Sequence, residues 1–564
     1  MPNSVKYNTS TETLSLKKGN FWIGIGDVDK GPTSSTGFYN GISPPSGGYT
    51  IYLNKASGGP SIYTVSNDAQ LITLTNQIAG VSYTTVAECL VYFAGQSDKV
   101  IVNENYPTII TSGQTFNLDS SYLPSYPTSG NTWYNISVNS FNGTLTNGPT
   151  YNSAQKSIVF DGSDDYMSNS NTIQLSGVSF SSEIVCKPNV YSGEKCVFGK
   201  GPANDPSGGG IPSPQRKGIH WRLTGDGSTA AKIRFGFWSS DIETSGSPTI
   251  LNKWTHIFFN YNYDGNNNSG EIYVNGVSQS VSYPFGLPFG PYIGPDTSTN
   301  YVGTWSPGVQ NFNGNIQKFS LYNRTLSQSE ILQNYFQGPI VTGGLVVAFD
   351  AGNLVSYESG STTTYSLSGT TTGSLLNGVG YSNNDGGYWI FDGTDDWITF
   401  PAGSNFAYGT GDFTVECWFY DTSSTSVPYS VLYSQTTAGT NYFLFGVETT
   451  GSSGKVAWVG TSSGGGTGIY SSNTYSRNTW NHAVASRISG VVTVYLNGVG
   501  GTPTSNTVNF TDTTYVPTIG DESHHGSNYS WTGYIPIFRL YKGKGLTSSE
   551  VIQNYNAQKD RFGL

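Results

Sequence analysis

The sequence predicts a mainly β chain: two tandem jelly-roll β-sandwiches, residues 114–338 and 343–564, behind a small α+β unit of residues 1–113. Three observations carry that prediction. Six blocks occur twice in the same order. One copy contains IVFDGSDDYM, WTHIFFNYN and EIYVNGV, the other WIFDGTDDWI, WNHAVASRI and TVYLNGV. Matched positions lie 220 to 231 residues apart, so a whole domain is duplicated and the losses between blocks are loop deletions. The composition is the second observation: 72 glycines, 14% aromatic and only 11% charged residues. Aromatic side chains suit pleated surfaces, and glycine supplies the positive φ of corners. The third is a period of two along short segments separated by turn residues, with almost no helix, which is the pattern of a sandwich.

Within residues 1–113, short strands alternate with turns from GNFWIGIGDVDKG onward. NDAQLITLTNQIAG and TTVAECLVYFAGQ read as two short helices, the first capped by Asn67. In the repeated domains, FTVECWFY places Phe413, Val415, Cys417 and Phe419 on one dry face, the signature of a half-buried strand. FSSEIVCKP repeats the parity with Phe180, Ile184 and Cys186, and aligns Glu183 with Glu416. The Asn-Gly pairs at 275–276 and 497–498 predict type I′ hairpin turns. Each copy ends in one short helix, opened by a capping box, Ser327 with Glu330 and Thr547 with Glu550. Its apolar residues, Ile331, Leu332 and Tyr335 or Val551, Ile552 and Tyr555, are expected to dock on the edge of the sandwich.

The formal charge of −10 and pI near 5.0, with no basic stripe, exclude nucleic acid as a partner. The first residues have no apolar signal core, and no run long enough to span a membrane occurs, so neither a secretory signal nor a membrane span is expected. Cys89, Cys186, Cys196 and Cys417 form no C-x-x-C pair. Cys186 and Cys196 could face each other across a hairpin, but two reduced core thiols are the preferred reading.

The ordered blocks F-D-G-x-D-D-(Y/W), F-x-x-E, W-x-H, Y-x-N-G, G-x-I and the closing capped helix resemble the concanavalin A-like, laminin-G-like jelly roll of lectins and many viral adhesion proteins. The resemblance covers residues 115–338 and 343–558. With FDAGNLVSYESGSTTTYSLS and NGTLTNGPTY added, the domains resemble in particular those of tailed-bacteriophage structural proteins, cyanophages among them. The resemblance implies a non-enzymatic protein of the virion, assembled in the host cytoplasm, serving as head decoration or as part of a tail or neck fibre. It implies that residues 1–113 attach to other virion proteins while the sandwiches touch host-surface glycans. Fibre-like virion proteins are often homotrimers, although no heptad or collagen-like segment is visible here. The alternatives are a purely structural, capsid-stabilising decoration without ligand and a polysaccharide-degrading enzyme on the same fold.

Three groups of residues are site candidates. Asp161, Asp164 and Asp165, with Asp392, Asp395 and Asp396, offer oxygen ligands for calcium. A hairpin turn in which the first Asp bonds its own backbone explains the same residues and is preferred. Tyr292, Tyr301, Trp305, Tyr529 and Trp531 lie in loops also rich in Asn and Asp, where rings could stack on sugars. His256 and His482 recur in W-x-H beside no nucleophile and read as structural, and His524 with His525 as a solvated loop pair rather than a metal site. The glucanases of this fold use E-x-D-x-E on one strand. That string is absent, and Glu183 and Glu416 stand alone on theirs, so no catalytic residue is expected.

Overall fold

A computed structural model of the chain describes residues 107–564 apart from 123, 138–140, 202–217, 238–239, 288, 425–428, 436–441, 449–453, 462–467 and 523–528; before 107 it describes residues 82 and 84 and the elements named next. Val5–Asn8, Thr13–Lys18 and Phe21–Asp27 form one antiparallel sheet. Tyr49–Lys55 pairs with Gly59–Val65 and Lys99–Val102 in another, and a helix spans Asp68–Ala79. The helix is the first of the two expected. Its cap Asn67, nearly all of the second stretch and Cys89 lie outside the described residues. The chain falls into two compact units, residues 1–335 and 336–562, apart from the last two residues.

The first unit holds a sandwich of two antiparallel sheets. One runs Thr150–Asn152, Ser157–Asp161, Asn313–Tyr322, Phe180–Pro188, Thr255–Asn262, Ser269–Val274, Val277–Ser278, with Gln114–Asp119 also paired to Asn313–Tyr322. The other centres on Asp241–Thr244, Ala231–Gly236, Ile219–Asp226, Ser192–Lys200, Asn300–Val302 and Tyr166–Asn169. The second unit repeats this order: Tyr388–Asp392, Thr532–Lys542, Phe413–Asp421, Trp480–Ile488 and Val491–Leu496 face Lys455–Thr461, Tyr442–Glu448, Ser430–Ser434, Thr518–Ile519 and Trp397–Thr399. The strands expected to be equivalent, Phe180–Pro188 and Phe413–Asp421, occupy the same sheet position. Phe180, Ile184 and Cys186, and Phe413, Val415, Cys417 and Phe419, point into the two aromatic-rich cores.

Local chemistry explains the corners. Asn275 and Gly276 have φ of 51° and 75°, Asn497 and Gly498 of 50° and 81°, as a type I′ turn requires, and each turn joins paired strands. Both capping boxes form: the Glu330 and Glu550 amides donate to Ser327 and Thr547 Oγ atoms at 3.4 Å, and the carboxylates accept from the cap amides at 2.8 and 2.9 Å.

Several expectations need correction. The closing helices, Gln328–Tyr335 and Ser548–Gln558, dock on the outer face of the central strands rather than on an edge: Ile331 packs with Phe258, Tyr273 and Tyr322 from three strands. The strand beneath is therefore buried on both faces, not half-buried, and Ile552, assigned to the docking side, is 43% exposed. Cys186 and Cys196 are reduced and buried as preferred, but no hairpin joins their strands, which belong to opposite sheets.

Candidate functional site

The two glutamates that stand alone on their strands meet partners that the repeat comparison did not supply. Glu183 is buried beneath the closing helix. One carboxylate oxygen takes His256 Nε2 at 2.9 Å and Lys318 Nζ at 3.1 Å. The other accepts from the Tyr322 hydroxyl at 3.1 Å and Asn334 Nδ2 at 3.0 Å. In the second jelly roll Glu416 meets His482 at 3.0 Å and Arg539 at 2.7 Å, then Asn554 at 2.7 Å and Tyr541 at 3.5 Å. Burial pushes each carboxyl up, but Lys318 and His256 in one domain, and Arg539 and His482 in the other, hold it down at about 2. An always-ionised, sealed carboxylate can serve neither as general acid nor as an accessible nucleophile. Both histidines are thus built into the fold, as their parity suggests. Each helix asparagine also accepts the amide of the segment entering its domain, Ile110 to Asn334 and Val341 to Asn554, both at 2.8 Å.

The acidic turns form the bonds expected of a turn. Asp161 Oδ1 accepts the Ser163 amide and Asp392 Oδ1 the Thr394 amide, both at 2.7 Å; Asp165 and Asp396 accept the Asp161 and Asp392 amides at 2.9 and 3.0 Å. The Ser163 amide holds Asp161 below the usual carboxylate range, while burial raises Asp165 and Asp396. In each triple, Asp161, Asp164, Asp165 and Asp392, Asp395, Asp396, one ligand atom per residue lies within 4.8 Å of the others, the compact oxygen set calcium accepts.

The aromatic candidates divide. Tyr292 and Trp531 are core residues, 0% and 1% exposed, because their loops fold inward onto Phe237 and Phe419. Tyr301 is buried at the sheet surface, edge-on to Tyr166. Trp305 and Tyr529 are partly exposed, Tyr529 edge-on to Tyr429. His524 and His525 lie outside the described residues.

A further polar array escaped the sequence reading. On the second sheet of the first jelly roll, Trp221, Leu223, Ile233, Phe235 and Ile242 point into the core. The residues alternating with them, His220, Arg222, Lys232, Arg234, Asp241 and Glu243, therefore line the opposite face together with Glu194 of the neighbouring strand. Arg222 reaches Glu194 at 2.6 Å; Arg234 reaches Glu243 at 2.7 Å and Glu194 at 3.4 Å; Lys232 holds Glu243 at 2.8 Å, and Gln310 donates to Glu194 at 2.7 Å. His220 Nε2 lies 3.1 Å from Asp241 Oδ1, without hydrogen-bond geometry. Both positions paired with His220 across the sheet are glycines. A Cβ at Gly236 would stand 1.9 Å from Asp241 Oδ1, and one at Gly199 would stand 2.4 Å from the Trp305 carbonyl, so the Trp305 backbone closes one side of the array. Burial lowers the His220 pKa against the opposing effect of the Asp241 carboxylate. Burial works to raise Asp241, but the His220 ring and then Arg222 and Arg234 leave it below the usual range. Glu243 is lowered too, by its bonds to Lys232 and Arg234 against the effect of burial. The signal was present as a polar period of two in IHWRLTGD, AKIRFG and DIET.

Comparison with known proteins gives one family and several distant structures. The family model described as the concanavalin A-like lectin/glucanases superfamily matches residues 161–332 and 392–552. No curated protein matches the chain. Domain 4 of an extracellular arabinanase from Geobacillus stearothermophilus, solved with arabinotriose, is 18% identical. The match covers 39% of this chain and all of that one, with a TM-score of 0.30. The mouse laminin α1 LG4-5 domains are 11% identical over 72% of this chain and 92% of theirs, with a TM-score of 0.26. The binding domain of botulinum neurotoxin serotype D is 12% identical over 76% and 98%, with a TM-score of 0.32.

Proposed function

The chain belongs to the concanavalin A-like lectin/glucanases superfamily, and from that premise we propose that it is a non-enzymatic structural protein of a tailed-phage virion whose lectin-like domains contact host-surface glycans. The observation that carries binding rather than hydrolysis is the charge state of its strand-borne carboxylates. Glycoside hydrolysis needs one carboxyl kept protonated beside another kept ionised. Asp241 and Glu243, on one strand, are both shifted down, and Glu183 and Glu416 are sealed by cations; Asp165 and Asp396 are raised by burial, but each is engaged by an amide of its own turn. The virion assignment rests on the resemblance of the blocks upstream of each F-D-G turn, and residues 1–113, which are not duplicated, supply the attachment.

Labelled antibody against the chain, viewed on intact phage particles by electron microscopy, tests the location, and the same particles on a glycan array test the contact. The expected result is exterior labelling, retention on glycans and no release of reducing sugar from host envelope polysaccharide. Unlabelled particles remove the virion assignment. Labelled particles that no glycan retains leave a purely structural decoration, and sugar release restores the enzyme.

A further inference from the structure

Buried polar atoms in folded proteins almost always find a partner, and one left without costs about 1–3 kcal/mol. On the outer face of the second sheet in the first jelly roll, six buried atoms have no hydrogen bond among the described residues: His220 Nδ1, Arg222 Nε, Thr224 Oγ1 and Gln310 Oε1, together with His220 Nε2 and Asp241 Oδ1, which face each other at 3.1 Å. His220 and Asp241 are 1% and 2% exposed. The positions are adjacent by register, Arg222 opposite Arg234 and His220 opposite Gly236, with Gln310 tied in through Glu194. The Trp305 backbone borders them, and its side chain is partly buried.

The chemistry of this group selects a ligand class. Donors and acceptors are interleaved, and a hydroxyl is the group that gives and takes at once. The formal charges of Arg222, Lys232 and Arg234 are balanced by Glu194, Asp241 and Glu243, so no net charge draws an anion or a cation. A flat ring beside hydrogen-bonding groups is the arrangement that holds a sugar ring by its apolar face and its edge.

The second jelly roll provides an internal control. Its strands share the register and the bulge, which falls at Val197 in one domain and at Leu432 in the other. Yet Leu444, Gly446, Ala457, Val459 and Tyr470 stand where the first domain has His220, Arg222, Arg234, Gly236 and Glu243. The Tyr429 ring lies against Gly446, and its hydroxyl bonds Ala457 O at 3.0 Å. Glu448 and Lys455 stand at the positions of Thr224 and Lys232 at one end of this counterpart face, but where the first domain sets His220, Arg222 and Arg234 the second has Leu444, Gly446 and Ala457.

We propose that glycan recognition is confined to this face of the first jelly roll and that its ligand is a neutral oligosaccharide, an inference that rests on the lectin-like reading above. The test uses the purified full chain on an array of neutral, sialylated and uronic-acid oligosaccharides, followed by calorimetric titration of the best binder. Neutral sugars are expected to bind. Arg222→Met, Gln310→Leu and Trp305→Ala each weaken the best one by about tenfold, the equivalent of one lost hydrogen bond or stacking contact, while Tyr470→Ala in the second jelly roll leaves it unchanged. An unchanged circular dichroism melt verifies that each variant keeps the fold. Equal affinity of all variants places the site elsewhere and leaves the lectin reading intact. Binding of acidic sugars alone overturns the charge argument, and no binding to any oligosaccharide overturns both this inference and the glycan contact it rests on.

Discussion

The buried glutamates of the two jelly rolls are neutralised from different places. Lys318 reaches Glu183 diagonally, from the position opposite Val185, while Ser320 occupies the position facing the carboxylate. In the second domain Arg539 holds the facing position, and Ile537 stands where Lys318 would be, opposite Trp418. Histidine, tyrosine and asparagine partners keep their places, and only the cation has moved by two residues along one strand. Physics requires a cation for an ionised carboxylate out of water but does not dictate its residue number, because two positions on one strand face both come within reach. The move also changes the docking of the helix. Arg539 Nη2 bonds Gln558 at 2.6 Å, and Trp418 stacks on Tyr555 with ring centres 5.7 Å apart and meets Phe562 at 4.5 Å. The first domain has Val185 in that position, which offers no ring to stack.

The largest effect should come from removing the carboxylates. Glu416→Ala and Glu183→Ala each leave a buried cation alone and cost about 3–5 kcal/mol. The loss is greater for Glu416, because Arg539 is 3% exposed and Lys318 7%. Native-state hydrogen exchange in the full chain, read on Phe413–Asp421 and Phe180–Pro188, separates the two domains. Unchanged protection in either strand breaks the comparison. Acid comes next and should treat the domains alike. Each glutamate is depressed from an ordinary 4.5 to about 2, so its contribution is complete above pH 4.5 and is lost as pH falls from there toward 2. The loss is on the order of 3 kcal/mol per domain. Urea unfolding at pH 5 and pH 2.5 measures it, and equal midpoints would show that neither carboxylate is held down. The finest test moves the cation. Lys318→Ile alone should cost about 3 kcal/mol, and adding Ser320→Arg should recover about 2 of them. Asn117→Ala is needed to make room, since Ala348 is its counterpart in the second domain. Exchange on Phe180–Pro188 reads the recovery; none would mean that the position, not only the charge, is fixed.

Much of this fold could be read from residues. Two Asn-Gly pairs, two capping boxes and the shared parity around Glu183 and Glu416 specify local geometry by local chemistry, and all formed. The cation was hidden by the very repetition that revealed the domains, because Lys318 and Arg539 do not align. Asn334 and Asn554 lie in the repeated QNY of the closing helix, yet their role depends on where the incoming chain passes, which no spacing within the helix encodes. Tyr292 and Trp531 were misplaced because loops lack the alternation that tells inside from outside. The polar array was passed over for a related reason: charged residues with a period of two usually face water, and only their tertiary crowding reveals unmet hydrogen bonds.

The asparagine clasp has a mechanical consequence. In each domain one side chain near the exit helix accepts the amide of the entering chain, and a glutamine beside it bonds the same segment, Gln333 to Thr108 O at 3.0 Å and Gln553 to Pro339 O at 2.8 Å. Entrance and exit are therefore stitched together. In the second domain the chain beyond the helix is held as well, Arg561 bonding Asp350 at 2.8 Å and Gly387 O at 2.7 Å, so a pull on that end meets these bonds before it reaches the seam.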